Sequence, residues 1–306
     1  MKVLIIGYGS IGKRHFEILS GLEEVNQIDL VTKQSISHVI KYNELSEIPS
    51  EILLEYGYFV IASRTCDHYE HLEYLCKHVD SKKILVEKPL YDRSYSSIAV
   101  RSNTVCVAYN LRFHPVLLKL RELLCVHKPL FVNVVCGQYL PDWRPETDYR
   151  VSYSAKSHQG GGVLRDLSHE LDYCTWLFGT FDKVSSVSKK LSSLDISSDD
   201  VFSCLGVTKS NIVMSISLDY LSRQPVRQLI VQCDDATIFV NLLDSKIQLI
   251  GHNRNESFNY DVKRNDTYLA MHKYFIGNNP KRLCSYSNGL EIVKFIDHNL
   301  MCGVPL

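Results

Sequence analysis

The chain has 306 residues, 45% hydrophobic and 22% charged, which excludes a disordered chain and suits one large or two ordinary domains. Its 34 Lys and Arg balance 34 Asp and Glu, so there is no basic footprint and nucleic acid is not an expected partner. No apolar run reaches the roughly 18 residues that cross a bilayer, so no membrane partner is expected, and the apolar stretch before Gly7 is too short for a signal peptide.

The elements read in order as follows. Residues 3–6 are an apolar run that leads straight into Gly7-Tyr8-Gly9-Ser10-Ile11-Gly12. A helical pattern follows, with Ile11, Phe16, Ile18 and Leu19 at apolar positions. Strands are expected at 27–32, 58–62, 83–86 and 104–108, with a helix at 67–79. Apolar strands alternating with helices predict a parallel sheet covered on both faces. From Pro115 the pattern changes. A short helix is followed by strands at 130–138, 183–190, 201–207, 211–220, 227–233, 236–240 and 246–250. Several alternate apolar and polar residues, as an antiparallel sheet with one covered face does. Helices at 163–178, 267–276 and 288–300 are expected to cover that face. The fold class is therefore α/β: a doubly wound parallel sheet over residues 1–115, then an α+β open-sheet domain over residues 116–306.

Ten cysteines, at 66, 76, 106, 125, 136, 174, 204, 233, 284 and 302, include no C-x-x-C pair. They read as reduced core residues of a cytoplasmic protein, not a disulfide framework. No H-x-x-x-H or H-E-x-x-H occurs, so no metal is expected.

A G-x-G-x-x-G between a strand and a helix is the context for dinucleotide binding. Gly7 permits the turn, Gly9 lets backbone approach a pyrophosphate, and Gly12 allows close helix–strand packing. Ser10 and Ile11 open the helix, whose free N–H groups face phosphate. NAD binders usually end the second strand in a carboxylate. Here Thr32-Lys33-Gln34 stands there, and Asp29 lies too early. A cation without a carboxylate favours NADP(H) over NAD(H). The fourth strand ends in Glu87-Lys88-Pro89, at the carboxyl edge where open α/β sheets bind ligands.

With these motifs the chain resembles the Gfo/Idh/MocA family, the glucose–fructose oxidoreductase and inositol dehydrogenase group. The resemblance continues through Ala62, His68, Tyr109-Asn110-Leu111-Arg112-Phe113-His114-Pro115 and Gly160-Gly161-Gly162-Val163-Leu164-Arg165-Asp166-Leu167-Ser168-His169-Glu170-Leu171-Asp172. It implies an N-terminal Rossmann domain and a C-terminal open-sheet domain, usually oligomeric through that sheet, so a homodimer or higher homo-oligomer is expected. It implies a cofactor site bordered by Ala62, Ser63, Arg64, His68, Glu87 and Lys88, and catalytic roles for Lys88, His169, Asp166 and Asp172. Two features depart from the family pattern. Asp166 and His169 are three apart where D-x-G-x-H is usual, and Arg64-Thr65-Cys66 replaces a Pro-containing loop.

The chemistry also reads from the residues. Alcohol oxidation needs a hydride acceptor and a base for the hydroxyl proton. His169 can serve near neutral pH, and Lys88 can polarise the substrate oxygen or share the proton. Spacings of three place Asp166, His169 and Asp172 on neighbouring parts of one helical surface. The plain alternative for His169 is a helix histidine satisfied by a carbonyl. The loop at 139–156 offers Trp143 and Tyr153 to stack on a sugar ring, and Arg144, Arg150 and Lys156 to bind a carboxylate or phosphate. A rigid surface loop with solvated charges is the other reading. Asn110 and Arg112 complete the candidate substrate side. The expected activity is NAD(P)-dependent hydride transfer to or from a secondary alcohol or ketone on a sugar or sugar nucleotide. The alternatives are an NAD-dependent glycosidase of the same family and a non-catalytic dinucleotide-binding regulator.

Overall fold

The computed structural model describes residues 1–277 and 279–301, so Cys302 lies outside the described residues. The nine described cysteines are free thiols. The chain forms two compact units, residues 1–110 with 264–294 and residues 111–263 with 295 onward. No helix among the described residues is long and apolar enough to cross a membrane.

The first unit is built on strands β1 (Lys2–Ile6), β2 (Gln27–Val31), β3 (Lys41–Tyr42), β4 (Tyr56–Ile61), β5 (Lys83–Val86) and β6 (Thr104–Val107). They lie in the order β3-β2-β1-β4-β5-β6, all parallel, and Cys284–Ser285 adds an antiparallel edge beyond β6. This is the doubly wound Rossmann order, with its switch point between β1 and β4. Val3, Leu4, Ile5, Phe59, Val60, Ile84 and Leu85 are fully buried, as continuous apolar strands covered on both faces must be. Helices α1 (Ser10–Ser20) and α2 (His68–His78) follow β1 and β4.

Helix Asp266–Ile276 belongs to this unit as well, although it follows the second sheet in the chain. Met271, His272 and Phe275 are buried, with the Phe275 ring edge-on to Tyr58 of β4 at 5.4 Å and His272 edge-on to His15 of α1 at 4.9 Å. The expectation that this helix covers the second sheet is corrected. Its aromatic face finds its complement on β4 and α1, a match that periodicity does not reveal.

The second unit is an eight-stranded sheet. Its strands are β7 (Pro129–Gly137), β8 (Phe181–Lys189), β9 (Val201–Thr208), β10 (Val213–Asp219), β11 (Val226–Cys233), β12 (Ala236–Asn241), β13 (Lys246–Gly251) and β14 (Arg254–Asn259). The order is β14-β13-β12-β11-β7-β10-β9-β8, antiparallel except where β7 meets β10. One face is apolar and buried, through Val132, Val134, Phe202, Ile216, Val231, Ile238 and Leu249. Helices α3 (Pro115–Leu123), α4 (Val163–Asp166) and α5 (Ser168–Phe178) pack on this sheet. Phe295, at the end of helix Tyr286–Met301, stacks on Phe181. The other face is open. One cross-strand row on it reads Ser185, Leu205, Ser215, Asn133, Ile230, Phe239, Gln248 and Ser257, a mixture of polar and apolar groups. The strand β14 was not expected from the sequence, because Arg254-Asn255-Glu256-Ser257-Phe258-Asn259 is an edge with one apolar residue.

Candidate active site

The turn from β1 into α1 is set by close packing. Gly7 has φ +96°, and a Cβ there would lie 2.6 Å from backbone atoms of Ala62 and Ser63. A Cβ on Gly12 would lie 2.2 Å from the Gly7 carbonyl oxygen. Both must be glycine for β1, α1 and the end of β4 to meet. Gly9 differs, since a Cβ there would meet nothing within 4 Å, so the protein's own packing does not require that glycine. Gly9 caps α1 with no side-chain bond, and Ser10 beside it is exposed. Ile11 follows, half-buried. The arrangement leaves a space lined by backbone N–H groups at a helix N-terminus, which fits an anionic pyrophosphate.

Around this turn the predicted residues take defined places. Thr32 is buried, and its hydroxyl accepts the Gln34 N–H at 3.2 Å. Gln34 in turn donates to the Tyr8 carbonyl at 2.9 Å. Lys33 is exposed and stands 3.4 Å from Glu44. Asp29 points into the core and accepts the Tyr56 hydroxyl at 2.5 Å, so it does not serve as the ribose carboxylate. Ser63 pairs with His71 at 2.9 Å, and exposed Arg64 is paired with Asp67 at 2.9 Å. His68 is buried between the two loops at the carboxyl edge, with Nε2 3.2 Å from the Ser63 carbonyl and Nδ1 3.1 Å from that of Leu90. Burial lowers its pKa. Glu87 is buried against His15 at 2.8 Å, and its other oxygen accepts the Lys88 backbone N–H at 3.0 Å. Lys88 is half-buried at the end of β5. Asn110 is buried on Thr267, donating to its hydroxyl at 2.7 Å.

In the second unit Gly160–Gly162 lead into α4, and Gly162 has φ +128° with its α-carbon against the Asp199 carboxylate. Asp199 accepts the Leu164 N–H at 3.1 Å. Its burial pushes the carboxyl up to about 6. The expected single helix at 163–178 breaks at Leu167, which adopts φ −94° and ψ 27° between α4 and α5. Asp166 therefore closes α4, while His169 and Asp172 lie on α5. Asp166 accepts the Tyr220 hydroxyl at 2.6 Å and that of Tyr153. The Asp166 charge, with burial, holds the Tyr153 phenol above its ordinary range. His169 is half-buried in the first turn of α5. Asp172 is buried in a bidentate pair with Arg112, at 2.7 and 2.9 Å, and Arg112 also lies over Trp176. Arg112 was expected on the substrate side and Asp172 in a catalytic role; the structure joins the two in one ion pair. His114 caps α3 by accepting the Val116 N–H at 3.3 Å, and burial pushes its pKa down to about 4.

The loop before the glycines borders a small open cleft lined by Leu140, Trp143, Arg144, Tyr149 and Tyr153. Trp143 is fixed by its ring N–H on the Gln138 carbonyl at 3.1 Å and by an edge contact with Tyr220. Tyr153 is 42% exposed toward solvent while its hydroxyl meets Asp166. Arg144 is exposed. Arg150 is paired with Asp148 at 2.7 Å, outside this lining, and Lys156 is half-buried and also outside it. Sequence reasoning brought Trp143, Arg144 and Tyr153 together correctly. It missed Asp199 and Tyr220, for which the only signal was a Ser-Ser-Asp-Asp run ahead of a strand.

The fold defines a protein with a Rossmann unit and a unit built on an open antiparallel sheet. Residues 128–239 match the family model of the GFO/IDH/MocA C-terminal domain, which bears out the resemblance carried by the motifs. No curated protein matches the sequence. Among solved structures, UDP-N-acetylglucosamine 3-dehydrogenase GnnA from Acidithiobacillus ferrooxidans aligns at TM-score 0.78 and 16% identity, over 98% of this chain and 96% of that one. Levoglucosan dehydrogenase, in complex with NADH and levoglucosan, aligns at TM-score 0.84 and 14% identity, over 99% and 96%. An NAD binding oxidoreductase from Klebsiella pneumoniae aligns at TM-score 0.83 and 14% identity, over 99% and 96%. These likenesses establish a shared fold across the whole chain.

Two predictions follow from the second unit. Breaking the buried ion pair with Asp172→Ala or Arg112→Ala will cost about 3–5 kcal/mol, because a charge is left unmatched. The double variant Arg112→Met with Asp172→Leu will cost much less than the two single losses combined, as urea unfolding will register. The second concerns pH. With its folded pKa raised, Asp199 contributes stability that is complete below its unfolded pKa and lost as pH rises through about 6. Asp199→Asn will therefore raise stability at about pH 8 by up to roughly 3 kcal/mol, and the gain will vanish near pH 4. Melting curves across that range are the check.

Proposed function

We propose that the chain is an NAD(P)-dependent oxidoreductase that moves a hydride between nicotinamide and a secondary alcohol or ketone on a sugar or sugar nucleotide. The observation that carries this reading is Gly9, a glycine whose missing side chain leaves room beside a bare helix N-terminus and relieves no contact within the protein. A bound dinucleotide would supply the hydride acceptor or donor. The backbone of Gly7 to Gly12 would hold its pyrophosphate, Thr32 and Lys33 would stand at its ribose, and Ala62, Ser63, Arg64 and His68 would border it. The end of β2 carries no carboxylate beyond Asp29, which is engaged by Tyr56, and exposed Lys33, 3.4 Å from Glu44, stands just past it; this favours NADP(H).

In this reading the Lys88 ammonium polarises the substrate oxygen and His169 takes or returns the hydroxyl proton. Asp172 acts through Arg112, by seating the helix that carries His169. Asp166 orients Tyr153, whose hydroxyl meets the substrate in the cleft. Trp143 offers a ring face and Arg144 a guanidinium, a combination suited to a sugar bearing a phosphate. Support comes from relatives of the same fold whose names record levoglucosan and UDP-N-acetylglucosamine as sugars acted on. The open face of the eight-stranded sheet, with exposed Leu205, Phe239 and Ile250, suits self-association as a homodimer or higher homo-oligomer, and the protein is assigned to the cytoplasm.

Turnover should be measured with a panel of sugars and sugar nucleotides, following nicotinamide absorbance. Lys88→Ala and His169→Ala will each lower kcat by about 100-fold or more, with cofactor affinity changed by less than about threefold. Wild-type turnover in both variants would remove the proposed proton path. Conversion of a glycoside without net cofactor reduction would favour elimination chemistry in its place. For cofactor choice, Lys33→Ala will weaken NADPH binding by about tenfold and leave NADH nearly unchanged. An equal effect on both cofactors would reject the assignment of Lys33 to a 2′-phosphate.

A further inference from the structure

Behind the Glu87-Lys88 turn lies a chain of four buried polar groups that the proposed reaction does not use. Tyr58 Oη stands 2.8 Å from His272 Nδ1, His272 Nε2 stands 2.8 Å from His15 Nδ1, and His15 Nε2 stands 2.8 Å from Glu87 Oε1. Tyr58, His15 and His272 have no exposed surface, and Glu87 is 6% exposed. The groups come from β4, helix Asp266–Ile276, α1 and the end of β5.

Their donors and acceptors admit one consistent order when both imidazoles are neutral. A carboxylate only accepts, so His15 must donate from Nε2 and accept at Nδ1. His272 must then donate from Nε2 and accept at Nδ1, and the Tyr58 hydroxyl must donate to it. Burial keeps His272 well below the usual imidazole range, which suits the neutral form. Tyr268 packs edge-on to His15 with Arg14 over its ring, and Cys106 neighbours Tyr58.

We propose that Tyr58, His272 and His15 are positioning residues for Lys88: they hold one oxygen of Glu87, so that the other stays on the Lys88 backbone N–H and sets where the ammonium stands. The role of that ammonium rests on the reading above; its being held does not. Removing the His15 ring takes away the donor that holds Glu87 Oε1. A buried carboxylate oxygen is then left unsatisfied, and Glu87 turns away from the Lys88 N–H.

The test uses the full chain with its lysines dimethylated by ¹³C-formaldehyde, the Lys88 signal being the one lost in Lys88→Arg. His15→Leu should move that signal and leave the other lysine signals in place, and His272→Leu, which leaves His15 Nδ1 without its donor, should move it by a smaller amount. The ¹⁵N spectra of the wild-type imidazoles at about pH 8 should show both rings protonated on Nε2. An unmoved Lys88 signal in a folded variant overturns the proposal. So does a wild-type His15 protonated on Nδ1, a reading that needs no variant to fold. Where a sugar substrate is in hand, His15→Leu should lower kcat by about tenfold with the cofactor KM within about twofold. If no sugar is turned over, the proposed function fails, while the lysine signal still decides whether the chain positions Lys88.

Discussion

The closest packing in the first unit occurs where the β1–α1 turn passes the end of β4. Gly12 sits under the Gly7 carbonyl, and Gly7 sits against Ala62 and Ser63. No side chain fits at either point, so helix, strand and neighbouring loop are brought to backbone contact. That constraint does more than close the sheet. It aims the open end of α1 toward the carboxyl edge, where β4 and β5 end in Ser63 and Glu87-Lys88. It also places His15, three residues after Gly12, deep enough to meet Glu87. The cofactor turn and the support behind Lys88 are thus two products of one tight contact.

The second unit solves a different problem. An open sheet gives a helix a broad apolar seat but little to fix its rotation. Three polar links supply the fixing: Arg112 with Asp172, Arg227 with Glu170 at 2.8 Å, and Tyr220 with Asp166. Each joins α4 or α5 to a strand or to the segment before α3. Between these buried anchors His169 is left half-buried on the same short stretch. The charged residues around it are held in buried pairs.

What was legible in the sequence follows from how far each signal reaches. The apolar strands of the parallel sheet, the glycine turn and the alternating strands declare themselves within a few neighbouring residues, and the structure has them within a residue or two. The partners did not. Glu87 finds His15 across 72 positions and His15 finds His272 across 257. Asp166 meets Tyr220 across 54, and Arg112 meets Asp172 across 60. Spacing rules put Asp166 and His169 on one helix, and the break at Leu167 puts them on two. The helix after the second sheet was assigned to the nearer sheet in sequence, yet its histidine and phenylalanine fit the first. The polar edge strand β14 went unseen because hydrogen bonding, not hydrophobicity, recruits it.

The Arg112–Asp172 pair has a consequence for how this protein can change over time. Each charge is intolerable without the other, whereas their joint replacement by apolar groups of similar size is tolerable. The two positions therefore form a single unit of inheritance. A lineage can cross from the ionic form to an apolar one only through an unstable intermediate, and that barrier would keep the ionic form in place even where it confers no advantage.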